Sequence, residues 1–265
     1  MQILFVGDIF GSPGRKIFRD HLPQLVETNN VELVIANAEN AAGGFGLTPA
    51  LAEELLELGC DVLTTGNHIW DKREIIDYFK SANGDRNARA RRVLRPANYS
   101  EAVPGVGLFE GKTKTGQRYA VINLQGRVFM QNADDPFRKV DELLKQVTSK
   151  IIVVDLHAEA TSEKIAMGWY LDGRVTAVLG THTHVPTADT RILPKGTAYQ
   201  TDVGMTGPYD SVIGVQKEQI IHRFLTGLPS RFEAAKDDPR FCAVLIDCDQ
   251  ETGRAHAIKR IMLQE

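Results

Sequence analysis

The chain has 265 residues, 43% of them hydrophobic and 25% charged, with a formal net charge of -3. That balance belongs to a folded globular protein and excludes a disordered chain, a collagen-like repeat or a disulfide scaffold. The small negative charge excludes any global attraction to nucleic acid or to an anionic membrane, so a phosphate must be held locally. Three cysteines, Cys60, Cys242 and Cys248, are odd in number and widely spread, which points to a reducing compartment and away from a thiolate metal site. The amino terminus MQILFVGDIF has no basic leader, and no apolar stretch approaches the ~20 residues of a membrane span, so a cytoplasmic protein is expected.

Ile3 to Val6 is a short apolar run closed by Gly7-Asp8, the pattern of a first buried strand. Ser12-Pro13 reads as a helix start, with Ser12 as cap, and predicts a helix to about Asn29. Val31 to Ala36 is a second buried strand, followed by Asn37-Ala38-Glu39-Asn40 and the flexible stretch Ala41 to Gly46. Thr48-Pro49 starts a helix that Gly59 ends. Cys60 to Thr65 is a third strand, ending in Gly66-Asn67-His68, and Asp71 and Glu74 have the spacing of a capping box for a helix over Lys72 to Phe79. Strand, polar loop and helix recur three times. That rhythm predicts parallel strands with their polar clusters gathered at one sheet edge, where open α/β sheets bind ligands.

Asn83 to Arg95 reads as an exposed connection, and Val106 to Leu124 as a β-hairpin turning near Gly116. A helix over Pro136 to Thr148 leads to the strand Ile151 to Leu156, which ends in His157. The run Val175 to Leu179 ends in Gly180-Thr181-His182-Thr183-His184, and Ala243 to Met262 reads as an antiparallel pair turning near Gln250 to Gly253. No repeat or linker interrupts the pattern, so one α/β domain over residues 1–265 is expected.

The polar residues at strand ends are Asp8, Glu39, Asn40, Asn67, His68, His157, His182 and His184. Any one of them alone is an ordinary cap or surface residue. Together they put four of the chain's seven histidines directly after apolar strands, and imidazole with carboxylate suits iron, manganese or zinc. His182 and His184, two apart, leave the same face of an extended backbone and can each serve one of two adjacent ions. Glu39 is the candidate bridge between those ions, Asp8 and Asn40 complete the first, and Asn67 offers a neutral oxygen to the second. His68 is a candidate general acid, against the plainer reading of a histidine flanking a helix. Asp71 reads as an N-cap before it reads as a partner that orients His68. Gly43-Gly44-Phe45-Gly46 lacks the ending of a Walker loop and reads as plain loop.

GDIFG, NAENAAGG, TTGNH, DLHAEATSEK, GTHTHVPTAD and TDVGMTGP together resemble the YmdB-type branch of the calcineurin-like metallophosphoesterases, from Met1 to about Val215. The chain departs from that superfamily's usual Asp-x-His opening, because Ile9 and Phe10 follow Asp8, and Glu39-Asn40 replaces the usual second motif. The resemblance implies a layered α/β/β/α sandwich with a mixed sheet. It implies Asp8, Glu39, Asn40 and His184 around one ion, Glu39, Asn67, His157 and His182 around the other, and His68 as proton donor.

What the resemblance implies about activity is hydrolysis of cyclic nucleotides, 2′,3′-cyclic monophosphates first and 3′,5′-cyclic monophosphates second. Two ions, iron or manganese, would activate a bridging hydroxide. It also implies a small nucleotide phosphodiester substrate, no extended nucleic-acid surface and a homo-oligomer. The alternatives are a broad-specificity phosphomonoesterase on the same metals and a non-catalytic module that senses a nucleotide or metal. No aromatic platform for a base stands out, with Phe45, Trp70 and Tyr209 the residues to consider.

Overall fold

A computed structural model describes residues 1–82, 85 and 88–264. The first part of the chain forms β1 (Gln2–Val6), β2 (Asp8–Ile9), α1 (Gly11–Thr28), β3 (Val31–Asn37), α2 (Pro49–Glu57), β4 (Val62–Thr64) and α3 (Glu74–Ser81). The middle forms β5 (Leu108–Lys112), β6 (Arg118–Gln125), α4 (Pro136–Leu144), β7 (Ile151–His157), α5 (Thr161–Leu171) and β8 (Ala177–Thr181). The remainder adds β9 (Arg191–Ile192), β10 (Ala198–Gln200), β11 (Met205–Pro208), α6 (Lys217–Thr226), β12 (Pro239–Cys248) and β13 (Ala255–Gln264).

These strands make two mixed sheets. In the first, β1, β3 and β4 are parallel, as the repeated rhythm predicts, and β12 closes antiparallel on β1 and pairs along its length with β13. In the second, β6, β7, β8 and β10 are parallel, with β5 and β9 as antiparallel edges.

Period-two alternation sets the layers. Ile3, Phe5, Leu33 and Ile35 of the first sheet share one core with Val121, Val153, Ala177 and Leu179 of the second. The residues between them, Leu4, Val6, Val34 and Ala36, turn the other way and bury Ile17, Phe18, Leu55 and Ile75 of the first three helices. On the far side, Ile122 and Val154 pack on Val140 of α4 and on Met167 and Leu171 of α5. Helices cover both outer faces, giving the expected α/β/β/α sandwich. Each buried Val, Leu, Ile, Phe or Met among these contributes roughly 1.5–3 kcal/mol, and the face-to-face packing brings the ends of β3 and β4 against those of β7 and β8.

Several boundaries differ from expectation. Ser12 does not cap α1, which begins at Gly11 with Phe10 at the cap position and no side-chain cap. Thr48 does cap α2, accepting from the Leu51 amide at 3.3 Å. The capping box of Asp71 and Glu74 does not form, and α3 starts at Glu74 with no side-chain cap. α4 stops at Leu144 because the amides of Thr148 and Ser149 donate instead to the Glu110 carboxylate, at 3.0 and 3.1 Å. In the connection expected over Asn83 to Arg95, residues 83, 84, 86 and 87 lie outside the described residues. Its second half is not exposed, since Ala90, Val93, Leu94 and Arg95 are buried and the Leu94 amide donates to the Leu63 carbonyl of β4.

Candidate metal centre

Asp8 opens β2, Glu39 and Asn40 follow β3, Asn67 and His68 follow β4, His157 closes β7, and His182 and His184 follow β8. The sandwich brings all eight residues together: Glu39, Asn40, His68, His182 and His184 line one crevice, and Asp8, Asn67 and His157 pack against them. The donor atoms of Glu39, His157 and His182 lie within 4.8 Å of one another. His157 Nε2 stands 2.9 Å from Glu39 Oε1, 3.0 Å from Asn67 Oδ1 and 3.1 Å from His182 Nδ1. His184 Nε2 lies 3.0 Å from the Asn40 side-chain amide nitrogen, itself 3.5 Å from Glu39 Oε1, and 3.9 Å from Asp8 Oδ1.

The outward ring nitrogens decide what the inward ones can do. His157 Nδ1 meets Thr181 Oγ1 at 2.9 Å, and that hydroxyl donates to Asp155 Oδ1 at 2.7 Å, so Nδ1 is the donor. His182 Nε2 faces Glu159 Oε2 at 3.2 Å, and His184 Nδ1 donates to the Ile213 carbonyl at 2.8 Å. Each imidazole is therefore held from behind by an oxygen and turns its other nitrogen inward. Around His157 Nε2 the three neighbours, a carboxylate oxygen, an amide oxygen and an imidazole lone pair, are all acceptors. One proton satisfies one of them. A cation satisfies all of them.

The proton affinities carry the same conflict. Burial raises the Glu39 carboxyl, but the charge and hydrogen bond of His157 outweigh it and hold the group at about 2. His157 is disfavoured as a cation by burial, yet Glu39 raises it to about 9. Burial, with the charge of His157, pushes His182 down to about 3, and burial also lowers His184. Burial drives the Asp8 carboxyl well above the usual carboxylate range, and its Oδ1 is wholly buried with no hydrogen-bond partner. An orphaned carboxylate oxygen beside an inward-facing imidazole is chemically suited to a cation, and the donor set of oxygens and imidazoles fits iron, manganese or zinc. Asn40 offers its amide nitrogen to His184, so to act as an oxygen donor its amide must be turned end for end, an assignment that depends on the hydrogen-bond network around it.

Two expectations about local geometry are corrected. His182 and His184 are not on extended backbone, since their φ values of 106° and 64° lie in the left-handed region. They reach the crevice through a tight turn, at a cost of roughly 1–3 kcal/mol each. Asp71, freed from capping α3, accepts from His68 Nδ1 at 2.8 Å and is the residue that orients His68. The His68 amide also donates to Glu39 Oε2 at 3.0 Å, and the Phe45 ring stands edge-on to His68 at 5.2 Å.

Phe45, Val185 and Ile213 form an apolar wall of this crevice, whose volume is about 420 Å³. Of the other aromatic residues considered, Trp70 packs on Phe79 at 5.9 Å and the Tyr209 hydroxyl donates to the Met205 carbonyl at 3.1 Å, so neither belongs to the wall. Phe10, at the place of the superfamily's first-motif histidine, packs edge-on against His184 at 5.5 Å.

Sequence reasoning misses Asp155 and Thr181, which hold His157, and Glu159, which holds His182. Asp155 also accepts from Thr64 Oγ1 at 2.5 Å and Asn37 Nδ2 at 3.2 Å, tying the two sheets together beneath the site. A signal for it exists, because a carboxylate inside the apolar run Ile151 to Leu156 needs buried partners. Gly66 is more than the end of a strand. A Cβ there would lie 2.1 Å from His157 Cδ2, so this glycine makes room for the ring.

The sequence model of the YmdB-like protein family matches residues 4–261. The chain belongs to that family. It is 49% identical to the 2′,3′-cyclic-nucleotide 2′-phosphodiesterase of Bacillus subtilis (strain 168), over 100% of this chain and 98% of that protein. Among solved structures, this YmdB-like chain superposes with a TM-score of 0.91 on a hypothetical protein from Thermus thermophilus, at 44% identity over 100% of both chains. It matches a phosphatase from Mycoplasma pneumoniae with the same TM-score of 0.91, at 35% identity over 100% of this chain and 93% of that one. The YmdB-like fold is thus a metallophosphoesterase sandwich. Among the described residues no helix is long and apolar enough to cross a membrane.

Proposed function

We propose that this YmdB-like protein is a metal-dependent phosphodiesterase that opens 2′,3′-cyclic nucleotides to 3′-monophosphates. The single observation that carries the reading is the convergence of acceptors around His157 Nε2, with the Asp8 Oδ1 that lacks a hydrogen bond 3.9 Å from His184 Nε2. Asp8, Asn40 and His184 would hold one ion, Asn67, His157 and His182 a second, and Glu39 would serve both. Iron or manganese suits these donors. When bound, the ions supply Lewis acidity toward the phosphoryl oxygens and activate water as nucleophile.

The protein's own part is charge, placement and a proton. Only Asp8 and Glu39 among those donors are carboxylates, so the loaded crevice keeps net positive charge and draws in the phosphodiester anion. His68 donates Nδ1–H to Asp71, so the proton it delivers to the departing ribose O2′ is the one on Nε2. The apolar wall of Phe45, Val185 and Ile213 gives a nucleobase a surface to lie on, which a phosphate monoester alone would not use. A residue held ready to donate a proton is needed for turnover and not for sensing, which favours an enzyme over a binding module. The two sheets share one core, which supports reading residues 1–265 as one domain. The three cysteines are unpaired and buried, in keeping with a cytoplasmic location.

The test is product analysis on 2′,3′-cyclic AMP, 3′,5′-cyclic AMP and p-nitrophenyl phosphate, before and after chelation. The reading requires 3′-AMP from the first, loss on chelation and recovery with Mn²⁺. Preference for the monoester would favour the phosphomonoesterase instead.

A further inference from the structure

The segment Thr201-Asp202-Val203-Gly204, just after β10, has no place in the donor set, yet it touches loops from both sheets. Asp202 Oδ2 accepts from three groups: Lys164 Nζ of α5 at 2.7 Å, the Thr183 amide at 3.0 Å and the Thr183 hydroxyl at 2.8 Å. Asp202 Oδ1 accepts from the Gly204 amide at 2.8 Å, and the Gly204 carbonyl in turn accepts from the Asp8 amide at 3.0 Å. Asp8 Oδ2 closes the circuit by accepting from the His182 amide at 3.3 Å. Lys164 and Asp202 are each only 1% exposed. A buried ion pair is a weak source of stability, and its clearest use is to specify one arrangement.

The arrangement it specifies here is a turn that the backbone does not favour. His182 and His184, on either side of Thr183, both have left-handed backbone. The Lys164 stem reaches Asp202 by passing over Gly180, where a Cβ would stand 2.8 Å from Lys164 Cδ and 1.8 Å from the Thr201 carbonyl oxygen. The space for the pair is therefore written into the sequence on both sides of the turn.

We propose that the Lys164–Asp202 pair is a positioning device for the metal centre. It grips Thr183 from both its amide and its hydroxyl, which holds His182 and His184 in their strained turn. Through Gly204 it registers that turn against Asp8, so the donors of the two sheets keep one spacing. This inference rests on the donor set proposed above.

The experiment is an equilibrium Mn²⁺ titration of full-length protein, stripped of metal, for wild type, Asp202→Asn, Thr183→Ala and Thr183→Ser, with a melting curve of each metal-free form. Asn in place of Asp202 keeps the shape but removes the charge and one of the two acceptor oxygens. Its Mn²⁺ affinity is expected to fall about 10- to 100-fold, the usual loss for an outer-shell partner of a ligand. Thr183→Ala loses the hydroxyl's contact with Asp202 and its longer ones with the Val185 amide and carbonyl, at 3.4 and 3.5 Å, from a half-buried side chain, so its affinity is expected to fall several-fold while its metal-free melting stays close to the wild-type value. Thr183→Ser, which keeps the hydroxyl, restores wild-type affinity. Folded Thr183→Ala and Asp202→Asn proteins with wild-type Mn²⁺ affinity would overturn the proposal. Should Asp202→Asn not fold, the Thr183 pair decides alone. A wild-type protein that binds no Mn²⁺ sinks the donor set itself, which is a different result.

Discussion

His68 Nδ1 lies 2.8 Å from Asp71 Oδ2, and that contact makes the ring a fixed donor at the mouth of the crevice. His68 reaches the metal donors only through its amide on Glu39, so its side chain can be removed without dismantling them. His68→Ala is expected to keep its metal and lose ~10²- to 10⁴-fold in kcat on a cyclic nucleotide. The loss shrinks on bis-p-nitrophenyl phosphate, whose leaving group needs no proton. Asp71→Asn loses less than His68→Ala on the same substrate. Metal content and kcat on both esters check this, and full activity of His68→Ala on the cyclic nucleotide removes the assigned role.

The parallel strands and the crevice residues are legible because strand ends are marked by a change from apolar runs to polar clusters, whereas the four-layer stacking of the two sheets is implied only by the family resemblance. Asp8, Glu39, Asn67, His157 and His184 each sit where such a run stops. Asp71 misleads because an acidic residue three before a glutamate has the spacing of a capping box, and only tertiary packing decides whether it caps or turns toward His68. α5 escapes notice for a different reason. Its buried Lys164 and its partly exposed Ile165, Trp169 and Tyr170 blur the apolar stripe that marks a helix. The supports behind the ligands, Thr181, Asp155, Glu159 and Asp202, leave no periodic signal, since their roles come from contacts between distant segments.

Gly66→Ala tests how tightly the centre is built. A methyl group 2.1 Å from His157 Cδ2 must displace the ring or the strand end that carries Asn67. The variant is expected to hold less metal than wild type and to lose activity in proportion. Metal analysis of the purified, folded variant reads this directly, and a wild-type metal content would mean the ring has more room than the geometry allows.

Asp8 predicts a gain of stability from a loss of function. Burial raises its carboxyl well above the usual range, and a carboxyl raised in the folded state stabilises it below the unfolded value, about pH 4. That contribution fades as pH rises toward the folded pKa. Metal-free wild type thus loses stability between pH 4 and neutral pH that metal-free Asp8→Asn, with no carboxyl to titrate there, keeps. The variant is expected to be more stable at pH 7 by about 1–3 kcal/mol, with little difference at pH 4, and to bind metal poorly. Melting curves of both metal-free proteins at the two pH values decide it, and a variant destabilised at pH 7 contradicts it.

Phe45 predicts a binding effect. If a base lies on the wall it shares with Val185 and Ile213, Phe45→Ala raises KM for cyclic nucleotides by roughly 5- to 100-fold, the worth of one stacking contact. Metal content is unchanged. Michaelis constants for wild type and variant test the idea, and an unaltered KM places the base elsewhere.

Anomalous diffraction from crystals grown with Mn²⁺ bears most directly on the whole account. Two peaks are predicted, one among Asp8, Asn40 and His184 and one among Asn67, His157 and His182, with Glu39 between them. A crevice without anomalous signal, or signal only at other surfaces, would contradict it.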